Sequence, residues 1–262
     1  MIREIDIDPT APIILLAVAR SGSSLLRSLL TVHPEVRLLE SSLISAMLKA
    51  YPELSEPQSH TNPDLISAAQ RSLVNAFYDA SMEDPDMGLL HKKRVTRWGF
   101  TVHQIEHPSS LQLLHQGFPN AIWLHLVRDG RAVAASWLDN WELATGLPPP
   151  ACLKSAAEIW ARSVLNVENG PEHHRIKLED LTSTKKRAPC FEDLMGYLGI
   201  EISPRQTAFL KSWPAINTSR RGENLAKRTF SADQRSVFRE ATGLENALDF
   251  FGYNIFVDSQ DP

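Results

Sequence analysis

Apolar positions along the chain follow two spacings. Short runs that are apolar at nearly every position lie at 13–19, IILLAVA, and 121–127, AIWLHLV, and each breaks at a polar turn. Runs of this length predict strands buried on both faces, as in a parallel sheet. A third strand candidate lies near Val95 to Val102, and HRIKLEDL, 174–181, reads as a short strand and turn. Between these runs the apolar spacing becomes helical. Leu25, Leu26, Leu29 and Leu30 form one stripe, with Ser24 or a neighbour as the cap and His33-Pro34 as the stop. Leu65, Ala69, Leu73, Ala76 and Phe77 give a helical pattern within 64–82.

Further helices are predicted after Pro108, with Leu111 and Leu114 on one face, and from about residue 131, where Val133, Trp137 and Trp141 share a face. LPPP, 147–150, reads as a breaker, and Ala156, Trp160, Val164 and Val167 mark the next helix. Pro189 through Gly199 reads as a helix with proline at its first position and glycine closing it. Residues 214–229 read as a basic, polar loop, and Ser231 with Gln234 forms a capping box for a last helix. Strands alternating with helices predict an α/β fold, a central parallel sheet flanked by helices on both faces. No linker divides the chain, so residues 1–262 are expected to form a single domain.

Composition narrows the function. Hydrophobic residues make up 43% of the chain, a globular share. The net charge of −4 disfavours binding to nucleic acid through bulk charge, so an anionic ligand must meet a local cluster of arginines. Cys152 and Cys190 match no metal or redox spacing and are expected as free thiols in a reducing compartment. Acids in the opening MIREIDIDPT oppose a signal peptide, and no apolar run approaches the ~20 residues of a membrane helix, so a cytoplasmic protein without a membrane partner is expected.

LLAVARSGSSLLRSLL, 15–30, is built like a phosphate-binding loop without its lysine. Against the triphosphate pattern G-x-x-x-x-G-K-[ST], Gly22 and the final hydroxyl, Ser24, survive, while Ala17 replaces the first glycine and Ser23 the lysine. A strand that feeds a helix through a tight turn still aims free backbone N–H groups at one point. Ser21, Ser23 and Ser24 add hydroxyls, and Arg20 offers a fork for two oxygens. An ordinary strand-to-helix turn is the alternative. LHLVRDGRAVAASW, 124–137, repeats the arrangement: Arg128 stands where a buried strand ends, and Ser136 lies on the following helix. That edge is where open α/β sheets bind ligands. An Arg128–Asp129 ion pair, or one from Arg131 to a helix neighbour, is the alternative there.

With both segments in view the sequence resembles the sulfotransferase family that uses 3′-phosphoadenosine 5′-phosphosulfate. AVARSGSSLLRSLLTVHPEVR looks like the family's 5′-phosphosulfate loop, as it occurs in protein-tyrosine and related sulfotransferases, and HLVRDGRAVAAS looks like its 3′-phosphate motif. IKLEDL, 176–181, and RRGEN, 220–224, are similar to two later elements of the family. The resemblance implies a P-loop-like three-layer fold, with Arg20, Ser21, Gly22, Ser23 and Ser24 at the 5′-phosphosulfate. It also implies Arg128, Ser136, Arg220, Arg221 and Gly222 at the 3′-phosphate. The co-substrate is then 3′-phosphoadenosine 5′-phosphosulfate and no metal is required, because a sulfuryl group carries less charge than a γ-phosphate.

The resemblance further implies in-line sulfuryl transfer to an acceptor hydroxyl, or less readily an amine, with Arg20 neutralising charge on the leaving phosphate oxygen. Glu40 is the first candidate base, although the matching position in the tyrosine-specific members falls on Ser41. His103 is the second, in RWGFTVHQ, where relatives carry a catalytic lysine that this chain lacks. Leu178 stands where many relatives have tyrosine. His173-His174 shows no third metal ligand at useful spacing and reads as solvated. The acceptor, a small molecule or a peptide, is not encoded legibly, and a homodimer stays open. Two rivals remain: a small-molecule kinase with a degenerate loop, and an inactive nucleotide-binding module.

Overall fold

The computed structural model describes residues 11–40, 68, 71, 72, 75, 95–138, 149–213 and 230–253. Five strands, β1 (Ile13–Ala17), β2 (Val36–Glu40), β3 (Arg97–Val102), β4 (Ile122–Val127) and β5 (His174–Lys177), form one sheet in the order β2-β3-β1-β4-β5. Every pairing is parallel, with Ile13 opposite Gly99 of β3 on one side and Ile122 of β4 on the other. β1 is the central strand and all five of its residues are buried, as expected for a run apolar at each position.

Alternation along β1 divides the core in two. Ile13, Leu15 and Ala17 face one layer, with Leu26, Leu29 and Leu30 of helix α1 (Ser23–Thr31). Ile14 and Leu16 face the other, with α3 (Gly130–Leu138) and α4 (Pro149–Glu168). Further helices among the described residues are α2 (Pro108–Gly117), α5 (Leu178–Thr182), α6 (Arg187–Leu198), α7 (Pro204–Ser212), α8 (Ala232–Arg239) and α9 (Leu244–Phe250). The result is the three-layer α/β architecture that the apolar spacing predicts.

Several boundaries differ from expectation. β1 stops at Ala17, so Val18 and Ala19 already belong to the turn. VRLLE is an edge strand, β2, which places Glu40 at a strand's carboxyl end and not simply after a helix. Pro149 and Pro150 open α4, since proline fits a first helical turn, where no intrahelical N–H bond is lost. Pro189 is the third residue of α6, while Gly199 does close it, at φ 65°. Ser203 and Gln206 form a reciprocal capping box that starts α7, a helix the apolar spacing did not reveal. The box at Ser231 and Gln234 starts α8 as expected. Of the helix expected within 64–82 the described residues 68, 71, 72 and 75 are all helical, whereas Trp141 and the loop 214–229 lie outside the described residues.

Candidate functional site

From Ala17 the chain passes through Val18, Ala19, Arg20, Ser21 and Gly22 into α1. Gly22 occupies the N-cap in the left-handed conformation, φ 91°, with no side-chain cap. Arg20 is also left-handed, at φ 74°. That conformation costs a non-glycine residue about 1–2 kcal/mol, so the surroundings must impose it. They do so by engaging consecutive loop carbonyls. Arg128 Nη1 donates to the Arg20 carbonyl at 2.9 Å, and Trp137 Nε1 donates to Ala19 at 3.1 Å. Ser21 N–H donates to Val18 at 3.0 Å, and His103 Nδ1 lies 2.9 Å from the Ala17 carbonyl.

With the loop carbonyls turned to these donors, the N–H groups of the first turn of α1 are left for a ligand. The first turn of an α-helix has no intrahelical acceptors for its N–H groups, and they carry the positive end of the helix dipole. Ser23 and Ser24 belong to that turn. The Ser21 hydroxyl is buried without a hydrogen-bond partner among the described residues, a donor the fold itself does not use. Leu178 lies directly against Gly22: a Cβ at position 22 would stand 2.8 Å from Leu178 Cδ1. The residue that replaces the family's tyrosine is thus packed beneath the loop.

Arg128 and Arg20 meet at one edge of the sheet. β1 and β4 are neighbours, and their carboxyl ends adjoin where the chain crosses from one half of the sheet to the other, the usual ligand crevice of such folds. The Arg20 guanidinium donates from Nε to Ser136 Oγ at 2.9 Å, so Ser136 joins the first strand end to the second. Asp129 turns its carboxylate to Arg131, from which it accepts both a backbone and a side-chain bond. Hence the alternative of an Arg128–Asp129 ion pair is not what the structure contains. Arg128 forms no ion pair among the described residues, and burial pulls its guanidinium below its ordinary value against the opposing charges of Glu179 and Asp129.

The turn that carries Arg128 is fixed by groups the sequence did not single out. Trp160 Nε1 donates to the Arg128 carbonyl at 2.9 Å, and its ring lies on Gly130, where a Cβ would stand 2.6 Å away. Glu179 accepts the Asp129 N–H at 2.9 Å and the Tyr253 hydroxyl at 2.8 Å. A buried indole or phenol generally finds a polar partner, which is the sequence signal behind Trp137 and Trp160. Nothing in the sequence marks Glu179 as the partner of Asp129, because they lie fifty residues apart.

His103 is half-buried just beyond β3. A carbonyl oxygen only accepts, so Nδ1 carries the proton shared with Ala17, and in that tautomer Nε2 is the accepting nitrogen. Glu40 is paired in register with Thr101 at the adjacent strand end; its side chain lies outside the described residues, as do Arg220, Arg221 and Gly222. His33 accepts the Glu35 N–H at 3.1 Å and closes the α1 turn, as expected.

On the far side of β4 a second polar cluster forms. His125, Glu168 and His173 bring potential metal-ligand atoms within 4.8 Å of one another. His173 is therefore not solvated, as the sequence suggested; its side chain is 9% exposed. Arg175 binds both Glu168 oxygens, so the carboxylate already has its counter-charge. Burial lowers His125 to about 4; it also raises Glu168, but hydrogen bonds from His125 and Arg175 outweigh it and hold Glu168 at about 2. Both cysteines are free thiols. Among the described residues no helix is long and apolar enough to cross a membrane.

The model of the sulfotransferase family matches residues 12–182, and the chain belongs to that family. Solved structures with the same fold include the sulfotransferase domain from the curacin biosynthetic pathway, 17% identical, with a TM-score of 0.55 over 93% of this chain and 98% of that one. The sulfotransferase domain of the Synechococcus PCC 7002 olefin synthase is 19% identical, with a TM-score of 0.53 over 97% and 99%. Mouse sulfotransferase SULT7A1, solved with PAP, is 14% identical, with a TM-score of 0.52 over 94% and 87%. No curated sequence matches. The protein is a sulfotransferase.

Proposed function

We propose that the enzyme takes its sulfuryl group from 3′-phosphoadenosine 5′-phosphosulfate and passes it to an acceptor hydroxyl. The observation that carries this reading is the 2.9 Å bond from Arg128 to the Arg20 carbonyl, which ties two anion-seeking strand ends into one cradle. The residues present fit the co-substrate. Gly22, the Ser21 hydroxyl and the N–H groups of Ser23 and Ser24 suit its 5′ end, while Arg128 suits its 3′-phosphate, with Arg220, Arg221 and Gly222 as further candidates. That PAP, adenosine 3′,5′-bisphosphate, accompanies SULT7A1 supports the same co-substrate here.

When bound, the donor supplies an activated sulfuryl group. Arg20 offsets charge gathering on the leaving phosphate, and the helix N-terminus adds fixed positive dipoles. His103 is the base that the tautomer argument favours: held through Nδ1, it takes the acceptor's proton on Nε2. Glu40 is the alternative base, at the next strand tip. The acceptor is a small molecule or a peptide bearing a hydroxyl.

Thermal-shift titration tests the donor. Adenosine 3′,5′-bisphosphate should stabilise the protein well beyond ADP, and Arg128→Ala should erase the difference. An equal response to both nucleotides refutes the reading and favours a kinase. His103→Ala should lower turnover roughly 10²–10⁴-fold while bisphosphate binding stays intact; unchanged turnover assigns the base to Glu40.

A further inference from the structure

The strap 251–253, which follows α9, returns to the edge of the sheet that holds Arg128. Phe251 lies against Trp160 and His125, with ring centroids 6.4 and 6.1 Å apart. Tyr253 packs against Trp160 at 6.5 Å, beneath the Lys177 ammonium at 5.0 Å, and Lys177 also donates to the Phe251 carbonyl. The Tyr253 hydroxyl is thereby aimed at Glu179 and donates to Oε2 at 2.8 Å, while Oε1 accepts the Asp129 N–H at 2.9 Å.

We propose that Tyr253 is a positioning residue for the 3′-phosphate cradle, holding the Glu179 carboxylate on the Asp129 N–H and away from the Arg128 guanidinium. This rests on the donor reading above. Of the acids acting on Arg128, Glu179 exerts the largest attraction, ahead of Asp129, whose carboxylate Arg131 occupies. Yet Glu179 and Arg128 form no ion pair; the carboxylate is oriented instead by the Asp129 N–H on Oε1 and the Tyr253 hydroxyl on Oε2. A carboxylate freed on one side would swing to the guanidinium, since a charge-assisted pair is stronger than a neutral contact. It would then compete with any phosphate for the same fork. Burial, reinforced by Glu179, pushes the Tyr253 hydroxyl up, so the group stays a proton donor at every working pH.

The probes are adenosine 3′,5′-bisphosphate and adenosine 5′-phosphosulfate, which lacks the 3′-phosphate, titrated calorimetrically against the full chain. Tyr253→Phe should weaken the bisphosphate about tenfold, the worth of one charge-assisted bond, and leave the 5′-phosphosulfate within about twofold. In a Glu179→Gln background, where the competing charge is gone, Tyr253→Phe should change bisphosphate affinity by less than about twofold. Equal weakening of both probes, or the same loss in both backgrounds, is the signature of a packing role and overturns the proposal. Glu179→Gln alone, whose amide oxygen still accepts the Asp129 N–H, should bind the bisphosphate at least as tightly as the native protein; weaker binding also overturns it. Failure of the native protein to prefer the bisphosphate removes the donor reading itself, and this proposal with it.

Discussion

Replacing Gly22 by alanine separates two penalties that the loop imposes at one position. The first lies in the backbone: at φ 91° an alanine pays about 1–2 kcal/mol that glycine does not. The second lies in the packing. The new methyl would stand 2.8 Å from Leu178 Cδ1 and 2.9 Å from Cδ2, closer than carbon atoms approach. Leu178 is 9% exposed and belongs to the core with Leu26 and Phe191, so it cannot swing clear without disturbing them. Overpacking of this kind costs about 1–3 kcal/mol. Together Gly22→Ala should destabilise by roughly 2–5 kcal/mol, read as a lower urea midpoint at unchanged slope. Leu178→Ala in the same chain removes the second penalty and leaves the first. The double mutant should therefore be more stable than the two single effects predict by about 1–3 kcal/mol. Strict additivity would show that Leu178 does not limit the loop, and a neutral Gly22→Ala would show that the turn is not left-handed at all.

The acid side of the stability curve should follow the His125 cluster. His125 titrates at 6.5 when unfolded and about 4 when folded, so the unfolded chain takes up the proton first and stability falls as pH drops below 6.5. The loss between pH 7 and pH 5 should be about 2 kcal/mol, measured by urea melts, and replacing His125 by asparagine should flatten that interval. Glu168, held at about 2 against an ordinary 4.5, extends the decline below pH 4.5. Trp160→Phe keeps the ring on Gly130 but leaves the Arg128 carbonyl without its donor; melts should show a loss of about 1–3 kcal/mol, with bisphosphate affinity falling alongside.

The elements legible in the sequence are those whose pattern is set by burial alone. β1 is apolar at every position, and β4 at every position but His125, because helices cover both their faces. α1, α2 and α4 carry a stripe because one face meets the sheet. β2 is an edge strand of only five residues in which Arg37 and Glu40 interrupt valine and leucine, which leaves no continuous apolar run to read. α7 declares itself by Ser203-Pro204 and Gln206, polar cap chemistry and not periodicity. At the site, Arg20 and Arg128 were visible because local motifs surround them. Their contact was not, because it depends on β1 and β4 becoming neighbours across a hundred residues of chain. The groups that hold the site, Trp137, Trp160, Glu179 and Tyr253, were hidden for the same reason: each acts on a carbonyl, an amide or a carboxylate that sequence order keeps remote.

The strand order also bears on how the chain is made. β1 is synthesised before the other four strands, yet its two partners are completed only at Val102 and Val127. During that interval a fully apolar segment has no edge to join, and closing such long loops delays productive pairing. A ribosome-bound chain that ends before Val127 therefore exposes the future centre of the sheet, and this is the stage at which a holding chaperone has most to protect.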